Sequence, residues 1–142
     1  MGNRRTARER ALQALYQLDM AGQGSGPEAL ESAWGASADQ APARDPSAHA
    51  FALELVEGVR GHLAEIDSLI EAHSHNWRLD RMSRIDRNVL RLGIFELAHR
   101  PEIPRKVTLN ESVELAKTFG TEESSAFING LLDRVAIALQ KP

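Results

Sequence analysis

The sequence predicts an all-α helical bundle, on three observations. Alanine and leucine together number 37 against 17 for valine, isoleucine and threonine, a balance that favours helix over strand. Apolar residues recur at steps of three and four along most of the chain, and no stretch alternates convincingly as a half-buried strand does. Glycine, proline and small polar residues gather in a few clusters, leaving five or more helical segments with short connections and no internal repeat. With 142 residues, 42% of them apolar, the chain is long enough for one ordinary domain or two small helical lobes sharing a core.

The first helix lies in RRTARERALQALYQLD, Arg4 to Asp19. Its spacing puts Ala7, Ala11, Ala14, Leu15 and Leu18 on the buried side, with Tyr16 nearly opposite, beside Arg5, Glu9 and Leu12. An outward tyrosine and leucine among arginines suit a contact surface, although a tyrosine lying on a neighbouring loop reads the same way. A flexible loop follows over about residues 22–46, interrupted by one short helix near Pro27 to Trp34. Within it GQGSG lacks the following Gly-Lys-Ser/Thr and the preceding strand of a phosphate-binding loop, so it reads as linker. From Ser47, Phe51, Leu55, Val59, Leu63, Ile66 and Ile70 form the stripe of one long helix, in which Gly58 and Gly61 would admit a close neighbour. The segment from about Arg84 to Ala98 is apolar on most of its circumference, predicting a central, enclosed helix that Pro101 and Pro104 terminate. Thr108 and Glu111 have capping-box spacing, opening a helix that closes at Gly120. Thr121 caps the last helix, with Glu122 and Glu123 in its first turn. There Ile128, Leu131, Leu132, Val135 and Leu139 form the buried stripe, Phe127 lies off its centre, and Gly130 suggests a close helix crossing.

The net charge of −3 conceals a segregation. A basic N-terminal arm, residues 1–10, carries Arg4, Arg5, Arg8 and Arg10 against Glu9. The stretch RLDRMSRIDRNVLR from Arg78 to Arg91 carries five arginines against Asp80 and Asp86. Each of these segments is +3, which leaves −9 on the rest of the chain. That pattern favours a localised anion-binding face, with solvated helix faces as the plainer reading. If the helix is continuous, Arg81, Arg84, Arg87 and Arg91 form one arginine stripe, suited to phosphate because the guanidinium fork donates paired hydrogen bonds and keeps its charge. Phe127 offers a ring on which an unpaired base could stack beside such arginines.

Catalytic signals are lacking. The absence of cysteine excludes disulfides and thiolate metal sites and is compatible with a reducing compartment. His73 and His75 face different ways on a helix, and no HExxH or comparable spacing occurs, so no metal site is expected. No serine or threonine is marked out as a nucleophile. No apolar run approaches a bilayer span and no secretory leader is evident, so a soluble, cytoplasmic protein is expected.

The stretches RRTARERALQALYQLD, RIDRNVLRLGIFEL and IPRKVTLNESVELAKTFGTEESSAFINGLLDRVA, in this order and separation, resemble the NusB family of bacterial transcription antitermination factors. The resemblance implies an all-helical fold of two subdomains forming one RNA-binding domain over residues 1–142, with neither catalytic activity nor a cofactor. It implies binding to the single-stranded boxA element of nascent RNA together with NusE, a small-subunit ribosomal protein. The resulting antitermination complex with RNA polymerase and other Nus factors reads through terminators, notably in ribosomal RNA operons. Carried over by position, Arg4, Arg5 and Arg8 fall in the arginine-rich RNA-binding arm, and Arg81, Arg91, Glu123 and Phe127 fall where the family meets RNA. Tyr16, Asp80 and Asp86 fall on the surface that meets NusE, while Ser74 and Trp77 stand in a variable part of the RNA face. Some family members dimerise, so a homodimer is a further expectation. The alternatives are a helical protein-interaction adaptor, or an RNA-binding module without antitermination activity.

Overall fold

The computed structural model describes residues 2–35, 45–74 and 78–142. Residues 36–44 of the predicted loop, together with His75 and Trp77, lie outside the described residues. Among those described there are seven α-helices, one 3₁₀ turn and no strand, which bears out the all-α class. The chain divides into two compact units, Met1–Arg60 and Gly61–Pro142.

The first unit contains α1 (Gly2–Ala21), α2 (Gly26–Gly35) and α3 (Pro46–Gly61). On α1, Ala7, Arg8, Arg10, Ala11, Leu12, Ala14 and Leu15 are all buried. They cover roughly 200° of the circumference at about 100° per residue. Leu12, expected outside, is therefore inside at 1% exposure; a stripe drawn through the alanines alone was too narrow. Tyr16 is half-buried at the edge of this arc. The chain leaves α1 through Gly22, whose φ of 76° favours glycine and brings its N–H to the Leu18 carbonyl at 2.9 Å. The short helix expected near Pro27 is α2, capped by Ser25 Oγ, which accepts the Glu28 N–H at 3.2 Å. Asp45 caps α3, its carboxylate accepting the Ser47 hydroxyl at 2.6 Å and the Ala48 N–H at 3.1 Å. The hydroxyl first and the amide second hold the Asp45 carboxyl below its ordinary range.

The second unit contains α4 (Leu63–His73), the 3₁₀ turn Leu79–Arg81, α5 (Arg84–His99), α6 (Arg105–Phe119) and α7 (Ser124–Ala138). The single helix expected from Ser47 to Ile70 is thus two. His62, at φ −120° and ψ 24°, breaks it. Phe51, Leu55 and Val59 are buried from α3 and Ile66 and Ile70 from α4, but Leu63 at the junction is 38% exposed. In the sequence the apolar residues keep steps of three and four across the break, so spacing alone does not reveal it. Gly61 faces open space, so it ends a helix rather than admitting a neighbour.

Helix α5 packs against α4, α6 and α7, and every residue from Asn88 to Leu97 except Arg91 is buried. The close approach expected at Gly130 lies instead at Gly93. A Cβ on Gly93 would stand 2.8 Å from Leu132 Cδ1 and 3.0 Å from Ser112 Oγ, whereas one on Gly130 would meet only Arg134 at an ordinary 3.6 Å. Helix α6 begins at Arg105 after Pro104, so Thr108 is no cap. It is buried inside the helix, where its hydroxyl donates to the buried Glu96 carboxylate at 2.9 Å. A carboxylate in this core requires such donors. Thr108→Val, which keeps the shape and removes the donor, is expected to destabilise the protein by about 1.5–3 kcal/mol in urea unfolding.

Helix α6 closes at Gly120 as expected. Helix α7 begins later than expected, at Ser124, whose Oγ accepts the Thr121 N–H at 3.0 Å. Leu139, expected in its stripe, lies beyond the helix and is 37% exposed. There the Gln140 N–H reaches the Ile137 carbonyl and the Lys141 N–H reaches that of Ala136, with Gln140 at φ 57°. This paired closure usually employs glycine. It turns the chain back so that Lys141 Nζ donates to the Arg100 carbonyl at 2.7 Å and the Pro142 carbonyl accepts the Arg105 N–H at 2.9 Å.

Candidate functional site

In the second unit the starts of two helices face one cavity. Ser83 caps α5 by accepting the Asp86 N–H at 3.1 Å, and Glu123 immediately precedes α7. Each start is the positive pole of its helix, and at α7 the Ser124 N–H donates to the Thr121 carbonyl at 3.1 Å. The cavity between them, about 230 Å³, is lined by Arg81, Met82, Ser83, Asp86, Thr121, Glu123, Ser124 and Phe127. It is smaller than the roughly 300–1,000 Å³ typical of drug-sized ligands, a size for one flat ring or side chain. Phe127 contributes a half-buried ring and Arg81 an exposed cation. Asp86 Oδ1 is buried without a hydrogen-bond partner. An orphaned carboxylate oxygen there favours a ligand that donates hydrogen, such as an exocyclic amine or an amide.

Of the residues singled out from sequence, Arg81, Asp86, Glu123 and Phe127 therefore meet in this cavity. Asp80 lies in the adjoining 3₁₀ turn, 3.4 Å from Arg78 Nε. The arginine stripe is interrupted, because Met82 and Ser83 are extended between the turn and α5. Arg81 and Arg84 are exposed, while Arg87 Nη1 turns in to the Leu79 carbonyl at 3.3 Å. Arg91 is held by Asp67 through two hydrogen bonds, Nε to Oδ1 at 2.9 Å and Nη2 to Oδ2 at 3.0 Å. Its Nη1 donates to Asn88 Oδ1 at 3.2 Å, and Asn88 is anchored to the Arg84 carbonyl.

The first unit holds Arg4, Arg5, Arg8 and Tyr16, all on α1. Arg4 and Arg8 lie over the Phe51 ring, at 4.3 and 5.3 Å from its centre. Arg4 and Arg5 are exposed and Arg8 is buried. The two guanidiniums over one ring tie the base of the arm to Phe51, and only that of Arg4 is exposed. Nothing in the spacing marks Met82, Ser83, Thr121 and Ser124 as lining residues. Small residues at a helix start read as caps, and only the meeting of two helix starts makes them a wall.

Fold and site together describe a small, all-helical binding protein built from two units. Residues 5–137 match the model of the NusB family, and the chain belongs to that family. It is 73% identical, over the full length of both chains, to the transcription antitermination protein NusB of Myxococcus xanthus (strain DK1622). It is also similar to NusB of T. maritima, with a TM-score of 0.85 and 36% identity over 94% of this chain and 90% of the other. A third likeness is to a crystal structure of the antitermination factors NusB and NusE in complex with double-stranded RNA. There the TM-score is 0.84 and the identity 30%, over 97% of this chain and 98% of the other.

Proposed function

We propose that the chain is a transcription antitermination factor, acting in the cytoplasm, that binds boxA-type RNA together with NusE and helps RNA polymerase read through terminators. The observation that carries this reading is the likeness, over nearly the whole chain, to a NusB solved with both NusE and RNA. Consistent with a protein that meets aqueous partners, no described helix is long and apolar enough to cross a membrane. Arg4, Arg5 and Arg81 supply the salt-dependent attraction to phosphate. Phe127 stacks a base, with Glu123 beside it accepting from base edges. Tyr16, Asp80 and Asp86 face NusE, whose donors would answer the orphaned oxygen of Asp86. Arg8 supports the arm through Phe51, and Arg91 supports the RNA face through its bonds to Asp67 and Asn88.

The test is a salt titration of binding to boxA RNA, single-stranded and duplex, against a scrambled control, with and without NusE. A NusE-enhanced preference for boxA is expected. Phe127→Ala should weaken it about tenfold, and Arg81→Ala should lower the salt slope by about one charge. Equal affinity for boxA and scrambled RNA in both conditions would overturn the proposal.

A further inference from the structure

Away from the cavity, the start of α4 meets the end of α5 at a cluster of imidazoles. His62 Nδ1 lies 3.3 Å from Glu65 Oε1, and His99 Nε2 lies 3.2 Å from the same oxygen. All three atoms are within 4.8 Å of one another. The two imidazoles are stacked, their centres 3.9 Å apart. The Phe95 ring backs both, at 6.2 Å from His62 and 5.6 Å from His99. Phe95 is buried, so it gives the cluster a fixed apolar floor while the polar edge stays open to water.

We propose that His62, Glu65 and His99 form a binding site for a transition-metal dication of the zinc class. Zinc bonds to imidazole nitrogen and carboxylate oxygen are about 2.0–2.2 Å long, which sets neighbouring donors of a tetrahedral site roughly 3.3 Å apart. The two nitrogen–oxygen separations already have that value. Two imidazoles and one carboxylate, with water in the fourth position, are a recurrent open zinc set, and nickel and copper accept the same donors. Magnesium and calcium demand mostly oxygen donors and fit poorly. In the stacked arrangement the nitrogen lone pairs run side by side, so capture requires one ring to rotate towards the other. The exposure of the side chains, 43% for His62 and 28% for His99, leaves room for that movement. His62 immediately precedes α4 and Glu65 lies in its first turn, so the start of one helix sets their spacing and the metal would add only the link to α5.

This cluster escapes a search for ligand spacing because His99 comes from a different helix than His62 and Glu65. The experiment uses the full chain without a histidine tag. Zn²⁺, Ni²⁺ and Mg²⁺ are titrated calorimetrically into the protein and into His62→Gln, Glu65→Gln and His99→Gln variants, with folding checked by circular dichroism. His49→Gln serves as control, since His49 forms a separate surface pair with Glu31 at 3.2 Å. One equivalent of Zn²⁺ should bind, with Mg²⁺ giving no heat, and the ring nitrogens of His62 and His99 should shift together in NMR spectra. Affinity should fall at least tenfold in each of the three variants and remain unchanged in His49→Gln. Absent Zn²⁺ and Ni²⁺ binding, or less than tenfold weakening in the folded His62→Gln or His99→Gln protein, overturns the site.

Discussion

Arg91→Ala is expected to destabilise the protein by about 3 kcal/mol, the lower end of what removing one partner of a buried ion pair costs. The lower end applies because the side chains are 11% exposed for Arg91 and 22% for Asp67, so water retains some access to the pair. The variant leaves Asp67 without two hydrogen bonds and Asn88 without one. Urea unfolding of Arg91→Ala, Asp67→Ala and the double variant measures the effect. The double variant should be less destabilised than the sum of the two single variants, since the second substitution removes a charge that the first left unpaired. Where Arg91→Ala is fully folded, its RNA affinity should lie within about threefold of the parent, a change of well under 1 kcal/mol. A large loss of RNA binding with unchanged stability would instead put the guanidinium on the RNA.

Gly93→Val is expected to cost about 3 kcal/mol or more, because its added carbons enter a core that offers no room. The nearest obstacle is the side chain of Leu132, itself fully buried, and the next is the hydroxyl of Ser112 on α6. Thermal melting should show a loss of roughly 10 °C. Gly130→Ala provides the contrast. Its new methyl group meets only the end of a flexible arginine at 3.6 Å, so improved helix propensity should stabilise the protein by up to about 1 kcal/mol.

These two glycines illustrate what could be read in advance. Both stand in helices, and propensity marks both as costly, yet only tertiary packing distinguishes the indispensable one. Helix class, the enclosure of α5 and the Gly120 stop were legible because they depend on local pattern. The split at His62 was not, since the apolar spacing continues across it. The Thr108 capping signature misled because hydroxyl-to-carboxylate spacing is local, while the partner Glu96 comes from another helix. At the candidate site, Arg81, Asp86, Glu123 and Phe127 were each identifiable by chemistry or resemblance. Their convergence depended on where α7 begins relative to α5.

The returning chain after α7 has a consequence for how the second unit folds. The bond from Lys141 to Arg100 joins positions 41 residues apart, and the Arg105 amide likewise waits for Pro142. Contacts of this range close a long loop, so they are expected to form after the local helical contacts. The bend between α5 and α6 should therefore be firmly held only once the segment after α7 has docked on it. Its amides should gain hydrogen-exchange protection together with the end of α7, making the chain terminus and a distant turn one cooperative unit.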